Sequence, residues 1–334
     1  MAFLVDNSGE SDYTGKINAI ASALLGWQGP VVLVSHIDPD GDALGSSLAL
    51  KRTLAELGKD TYLPLVPPRY LNFLCREGEL SPPLESLPEH CLLVVLDAAE
   101  KRRVVGAPSS GASLTINIDH HGTNNRFGDL SCVEPQKAAT AQIVKDIVGA
   151  MGVPWTTAMA TPCLTGILTD TGNFRYGNTT PEVLRDASEL LRYGVDYTTL
   201  VDRLQWREPH YFSMLGQVMS TVEFPLGGLV SMARLTQKMR EEVGETDDDS
   251  NDYVGLIRYA EGTKVAVLLK EAKEGTKISV RTRNNVSAQA ICLTLGGGGH
   301  PAAAGALVRA GLEETRVRVL EATRQELRRH GYAV

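Results

Sequence analysis

Apolar positions along this chain come in two textures, short unbroken runs and longer stretches with helical spacing. Residues 13–25 carry Ile17, Ile20, Ala21, Leu24 and Leu25, an i, i+3, i+4, i+7, i+8 pattern that predicts an amphipathic helix. Val31-Val-Leu-Val34 reads as a short buried strand that ends at Ser35-His36 and an Asp-Pro turn. A helix is expected from about Ala43 to Leu57, with Asp42 as its N-cap and Gly58 closing it. Strands are expected over 61–66, 91–96 and 114–118, and helices over 138–148 and 155–169. Another helix starts at Thr180-Pro181, where proline suits the first helical position. The Pro/Ser/Glu-rich stretch 79–89 reads as loop. Strands that alternate with helices in this way predict an α/β domain with a parallel sheet.

The texture changes after residue 195. Residues 196–219 read as one or two helices, part of a connection over 196–221. A hairpin is expected in 222–235 around Gly227-Gly228, then a short helix over 237–243. Strands follow over 265–270 and 277–282, then a helix around Ala288, Ile291 and Cys292, a strand at Leu307-Val308 and an amphipathic helix over 314–329. The expected division is a parallel-sheet domain over 1–195, the connection, and a smaller α/β domain over 222–334. No internal repeat is visible.

Composition changes this picture little. The 334 residues are enough for two domains, and 43% hydrophobic with 22% charged residues is ordinary for a soluble globular protein. The first residues have no basic region and too short an apolar run for a secretory signal, and no run nears the ~20 residues of a membrane helix. The expectation is a cytoplasmic protein with no membrane partner. Five scattered cysteines form no Cys-x-x-Cys, which argues against a disulfide framework or a structural zinc site. Net charge is −7, which disfavours extended non-specific duplex binding but not a small anion in a local basic pocket. Residues 277–334 hold nine Lys/Arg against four Glu. The acidic run 245–252 lacks the glycine and terminal Glu of a calcium loop and reads as a solvated loop.

The candidate chemistry gathers at strand ends. His36, Asp40 and Asp42 follow the first strand, and Asp38 among them is a plain turn residue. Asp97 follows the strand over 91–96; alone, such an Asp is more often a helix cap. The next strand runs into Asp119-His120-His121, and adjacent imidazoles are harder to dismiss. Asp170 sits near a helix C-terminus, where the helix dipole disfavours a carboxylate unless a cation is close. In parallel α/β sheets, ligands bind outside the carboxyl ends of the strands. If the strands are neighbours, four carboxylates and two imidazoles meet there, and so many anions need cations. Two divalent metals resolve the conflict, as in phosphoryl-transfer hydrolases. Carboxylates with some imidazole suit Mn²⁺, with Mg²⁺, Co²⁺ or Zn²⁺ as competitors.

The set Ser-His36-x-x-Pro-Asp40-Gly-Asp42-Ala-Leu-Gly-Ser, Leu-Asp97, Asp119-His120-His121 and Thr-Asp170-Thr-Gly-x-Phe-Arg resembles the four motifs of the DHH phosphoesterase superfamily. Gly297-Gly-Gly299-His300 with Arg281 upstream is similar to the DHHA1 domain that follows in many members. The length resembles the nanoRNase/pAp phosphatase branch. One departure is Glu100, where the family often has Asp three residues after the Asp97 position.

The resemblance implies a DHH domain, a DHHA1 domain and an active-site cleft between them. It implies that His36, Asp40 and Asp97 hold one metal and that Asp42, Asp97, His120 and Asp170 hold the other, Asp97 bridging. Asp119 would orient His120, and His121 would contact the scissile phosphate and act as general acid. Arg281, Gly298, Gly299 and His300 would bind the distal phosphate and nucleotide end, with backbone N–H groups of the glycine run forming an anion nest. Arg283 is a further candidate there, against the alternative of an exposed strand-end charge. The implied substrates are short RNA oligonucleotides, cut to 5′-mononucleotides, and pAp-like nucleotides. A phosphodiesterase acting on cyclic di-AMP or its linear product is the alternative, and a homodimer stays open. A nucleotide-binding sensor without catalysis would show a lost ligand position, and none of the six is lost. A long-strand exonuclease is disfavoured by length and acidity, and a pyrophosphatase by the absence of its second-domain basic motif.

Overall fold

The computed structural model describes residues 8–244 and 252–334. The acidic run therefore lies outside the described residues except for Asp252. The chain divides into two compact units, Met1–Trp206 and Arg207–Val334.

The first unit opens with helix α1 (Ser8–Gly26) and strand β1 (Val31–His36). Then come α2 (Gly41–Glu56), β2 (Thr61–Tyr62), β3 (Leu92–Leu96), β4 (Val104–Val105), β5 (Leu114–Asp119) and β6 (Leu130–Val133). Helices α3 (Thr140–Met151), α4 (Thr157–Asp170), α5 (Pro181–Leu191) and α6 (Tyr197–Gln205) complete it. The sheet runs β2-β1-β3-β5-β6, parallel throughout, with β4 antiparallel to the end of β1. Strand order reverses between β1 and β3, because β2 lies on one side of β1 and all later parallel strands on the other. That is the switch point at which parallel sheets open a crevice.

Side chains alternate across the sheet. Val31, Leu33, Leu92, Val94, Ile116 and Ile118 meet the helices, while Val32, Val34, Leu93 and Val95 pack against loop residues such as Leu84, Leu87 and Phe127. Both faces are buried, which is why β3 is apolar at every position, and β1 from Val31 to Val34, rather than alternating. The strand expected over 61–66 shrinks to Thr61–Tyr62, and β4 and β6 are added; two to four residues are too few for a periodic signal.

Helices α2 and α4 cross closely. A side chain at Gly45 would meet the Pro162 carbonyl oxygen at 2.3 Å, and one at Gly166 would meet the Asp42 carboxylate at 2.7 Å. The glycines let the backbones approach. Pro162 stands inside α4 and has no N–H to give the Ala158 carbonyl. Arg52 of α2 replaces it, donating from Nη1 to that oxygen at 2.6 Å. The same guanidinium donates to the Leu74 carbonyl and forms a two-bond pair with Glu79.

The second unit holds α7 (Pro209–Met219), β7 (Val230–Leu235), α8 (Gln237–Val243), α9 (Tyr253–Ile257), β8 (Val265–Ala272), β9 (Gly275–Thr282), α10 (Ala288–Leu293), β10 (Gly298–His300), β11 (Ala303–Val308) and α11 (Leu312–Arg329). Its sheet runs β10-β11-β9-β8-β7, antiparallel except for the β7–β8 pair. One face, with Met232, Val267, Val280 and Ala304, is covered by α10 and α11. The other, with Ala233, Ala266 and Leu268, packs against α7 and α9. The hairpin expected in 222–235 is reduced to one bridge, Glu223 with Met232. Among the described residues no helix is long and apolar enough to cross a membrane.

Candidate metal centre

The six strand-end candidates come together at the switch point of the first sheet. His36 is the last residue of β1, and Asp97 directly follows β3. Asp97 has φ +56, a left-handed conformation that non-glycine residues seldom adopt and that clusters at functional positions. His36 Nε2 lies 3.5 Å from Asp97 Oδ2. His120 Nε2 lies 3.2 Å from Asp170 Oδ2, 3.6 Å from Asp97 Oδ1 and 3.9 Å from Asp42 Oδ2. Potential ligand atoms of His36, Asp40 and Asp97 fall within 4.8 Å of one another, as do those of Asp42, His120 and Asp170, and those of Asp97, Asp119, His120 and His121.

Asp42 is not the N-cap of α2. That position belongs to Asp40, whose Oδ1 accepts from Asp42 N–H at 3.0 Å and Ala43 N–H at 3.1 Å. The helix starts at Gly41, two residues earlier than the apolar spacing suggested, so Asp42 turns inward and is wholly buried. There it accepts from the N–H groups of Thr140 and Ala141, at 2.6 and 2.9 Å, and caps α3 instead. Thr140 Oγ1 also donates to Asp97 Oδ1 at 3.1 Å.

The three imidazoles are held differently. His36 Nδ1 is 2.7 Å from the Ile37 carbonyl and His120 Nδ1 is 3.3 Å from the Lys137 carbonyl, so each directs Nε2 into the cluster. His121 instead places Nδ1 2.7 Å from Asp119 Oδ1. The expectation that Asp119 orients the His120 ring is corrected here. Asp119 accepts from the backbone N–H of His120 at 2.8 Å but engages the ring of His121. Asp119 accepts from the backbone N–H groups of both His120 and His121, which sets its carboxylate beside the His121 ring. Asn124 Nδ2 anchors the other Asp119 oxygen at 2.6 Å. Thr140, Lys137 and Asn124 were not legible as site residues, because their roles depend on packing.

Electrostatics make this a place for cations. Burial, then the charges of Asp97 and Asp170, push the Asp42 carboxyl well above its usual range. Asp40 is exposed as a residue, yet loss of water around its carboxylate and the charges of Asp170 and Asp97 push it up to about 6. Burial also raises Asp170, partly offset by His120. Burial would raise Asp97 too, but the His36 hydrogen bond and the charges of His120 and His121 hold it down at about 2. Burial works against the charged form of His36, and Asp97 and Asp40 outweigh it, raising the ring to about 9. Crowded carboxylates that must bind protons to relieve repulsion, beside imidazoles presenting Nε2, are a donor set that fits divalent metal. His120 Nε2, 3.2 Å away, is the group that faces the carboxylate of Asp170 at the end of α4.

In the second unit, Arg281 of β9 pairs in register with Ala303 of β11, which pairs with His300 of β10. Directly opposed residues share a face, so Arg281 and His300 lie on one face with the small residue Ala303 between them. Arg283 follows two residues later, its guanidinium 5.7 Å from the centre of the Tyr259 ring. Gly298 and Gly299 belong to edge strand β10, and Gly296 and Gly297 donate their N–H groups to the Leu293 and Cys292 carbonyls. The run is thus a helix end followed by a strand, so the nest expected of it is not formed by Gly296 and Gly297.

The N-terminal domain of the DHH family matches residues 30–167, and the DHHA1 domain matches residues 231–329. The chain is 55% identical over 327 residues to the bifunctional oligoribonuclease and PAP phosphatase NrnA of Thermus thermophilus, covering 98% of this chain and 99% of that one. It is 25% identical to the protein of the same name from Bacillus subtilis, over 86% of this chain and 92% of that one. A cyclic-di-AMP phosphodiesterase of Listeria monocytogenes, PdeA, is 26% identical over 85% of this chain but only 45% of its own length. Among solved structures, an exopolyphosphatase-related protein from Bacteroides fragilis superposes with a TM-score of 0.84 at 21% identity, over 97% of this chain and 98% of that one.

Proposed function

We propose, from the premise that this chain belongs to the DHH family of phosphoesterases with a DHHA1 domain, that it is a metal-dependent hydrolase of short RNA oligonucleotides and of pAp. It would cut the first to 5′-mononucleotides and the second to AMP. The observation that carries the reading is the sharing of Asp97: it stands 3.5 Å from His36 on one side and 3.6 Å from His120 on the other. One carboxylate between two ligand groups is what a two-metal phosphoesterase needs.

His36, Asp40 and Asp97 would hold one cation, and Asp42, Asp97, His120 and Asp170 the other. Bound there, two divalent ions, Mn²⁺ by the donor chemistry, supply charge neutralisation of the phosphate and activation of water. His121 is the general acid: Asp119 holds its Nδ1, so Nε2 is the atom that gives a proton to the leaving oxygen. Burial works against protonation of this ring, but Asp119 and Asp97 outweigh it and raise its pKa, which favours the protonated form an acid requires. Arg281 and His300 would grip the substrate away from the reacting phosphate, with Arg283, Gly298 and Gly299 beside them. An arginine binds phosphate through paired donors, and binding energy used there positions the reacting group.

The test is a product profile with Mn²⁺ and with EDTA, on labelled RNA of 2 to 20 nucleotides, pAp and cyclic di-AMP. Metal-dependent release of mononucleotides from the shortest RNAs and AMP from pAp is expected. Turnover of cyclic di-AMP with neither RNA nor pAp consumed would replace this reading by that of the cyclic dinucleotide enzymes.

A further inference from the structure

Close to the metal centre the first unit carries cations that the reading above leaves unused. The loop after Asp97 holds Lys101, Arg102 and Arg103 in a single 3₁₀ turn, all three exposed. The loop after His121 holds Arg126, also exposed. Apart from Asp97 these loops carry two carboxylates: Glu100 accepts from Arg102, and Asp129 accepts from the Thr115 N–H at 2.8 Å. Four cations against these two anions stand out on a chain of net charge −7.

Their backbone is tied to the centre. Arg103 accepts from the N–H of Ile37 at 2.8 Å, and Val104 pairs with His36 in the β1–β4 ladder. Asn124 donates from Nδ2 to Asp119 at 2.6 Å and to the Ala98 carbonyl at 3.1 Å, and Asn125 N–H reaches the Ala99 carbonyl at 3.3 Å. The Arg126 N–H in turn donates to Asn124 Oδ1 at 2.6 Å. The two loops are therefore cross-linked to each other and to the residues flanking the metal-ligand candidates. Anchored backbone with long exposed cationic side chains suits a flexible polyanion, because the charges can follow phosphates while their origin stays fixed.

We propose that Lys101, Arg102, Arg103 and Arg126 form a track for the phosphates of an RNA oligonucleotide beyond the nucleotide being released. This deepens and rests on the short-RNA reading. A phosphodiester at the centre leads directly into neighbouring phosphates only if the substrate is a chain. pAp has no phosphate beyond those of its single nucleoside, so it offers the track nothing and serves as an internal control.

The experiment compares wild type with K101Q/R102Q/R103Q/R126Q on pAp, an RNA 2-mer and an RNA 5-mer, from 50 to about 300 mM KCl. A second readout is anisotropy of a labelled 5-mer in EDTA. The expected result is a KM for the 5-mer raised at least about tenfold more than that for pAp, with kcat changed little. For single strands, log affinity falls with log salt by about 0.7 per neutralised phosphate. The 5-mer slope should therefore flatten by about 2 in the variant. K101Q/R102Q, on exposed side chains alone, gives the same comparison at smaller amplitude if the quadruple variant melts early. Loss in equal proportion for pAp and 5-mer, or an unchanged salt slope, overturns the track while leaving the short-RNA reading intact. A wild type that turns over pAp but no RNA overturns that reading, and the track with it.

Discussion

Asp97 is the residue on which the centre turns, since its two oxygens face His36 and His120 separately. Asp97→Ala should abolish Mn²⁺-dependent hydrolysis and the rise in melting temperature expected of the wild type with Mn²⁺, while the apo protein stays folded. Metal binding to the native state alone contributes about 2.7 kcal/mol at a hundredfold excess over Kd, so the shift is measurable by calorimetry. Retained turnover would end the shared-carboxylate assignment. The two adjacent histidines should part company. His120→Ala is expected to lose metal occupancy, whereas His121→Ala keeps metal and loses rate by about 10²–10⁴-fold, the scale of a missing general acid. Elemental analysis checks the split, and equal metal loss in both would contradict it. Away from the centre, Arg52 and Glu79 form a buried two-bond ion pair. Burial opposes ionisation of Glu79, but the Arg52 hydrogen bond outweighs it and holds the carboxyl below its ordinary value. A depressed folded pKa contributes stability above the unfolded value, lost as pH falls through the folded one. Glu79→Gln should therefore cost about 3 kcal/mol at pH 7, because it leaves a buried guanidinium without its counter-charge. The gap should narrow as pH falls through the acidic range, because protonation of Glu79 removes the wild-type pair. Urea melts at pH 7 and pH 3.5 test this, and an equal gap at both would refute it.

At the scale of elements, the α2–α4 crossing brings Asp42 and Asp170 to one place. Asp42 stands in the first turn of α2 and Asp170 in the last turn of α4, so the spacing of these helices sets the distance between two ligand candidates. Gly166→Ala puts a methyl 2.7 Å from both the Asp42 carboxylate and the Ala141 side chain. The helices must separate or Asp42 must turn away. The expected outcome is at least about a tenfold loss of metal affinity by titration calorimetry, with a destabilisation of about 1–3 kcal/mol from overpacking. Unchanged affinity in a destabilised variant would show that the crossing matters for the fold alone. The same pair of helices explains why a proline is tolerated mid-helix in α4: Arg52 satisfies the carbonyl that Pro162 leaves open.

For the whole molecule, the proposed labour is divided between two units, metal chemistry and the phosphate track in one and the grip on the nucleotide end in the other. Arg281 lies on β9 of the second unit and is more than a hundred residues beyond Asp170. Arg281→Ala should keep the bound metals and the hydrolysis of a small chromogenic diester. It should lose kcat/KM on short RNA by the 1.5–3 kcal/mol of a charge-assisted bond, roughly 10- to 150-fold. Added salt should narrow the difference from wild type, because screening weakens the missing contact. Equal losses on both substrates would place Arg281 in the chemistry or the fold and end the division of labour.

Much of this was determined by the sequence alone. Unbroken apolar runs marked β1 and β3 as buried strands, a strand was also expected over 114–118 where β5 lies, and helix α8 has the bounds expected for it, Gln237–Val243. The ligand candidates were legible because strand ends in a parallel sheet share an edge, so His36, Asp97 and His120 had to approach one another once their strands proved neighbours. Local pattern fixes which face a residue takes, since that depends on a period of two or 3.6. It does not fix which distant group the side chain meets. Asp42 looked like the cap of its own helix and caps another, 98 residues on. Asp119 looked like the partner of His120 and holds His121, and the partner of His120 is the carbonyl of Lys137, 17 residues away. A backbone carbonyl carries no residue-type signal, and a carboxylate accepts from any donor in reach. Only the packed tertiary structure, by bringing helix ends and loops to within hydrogen-bond distance, decided those partners.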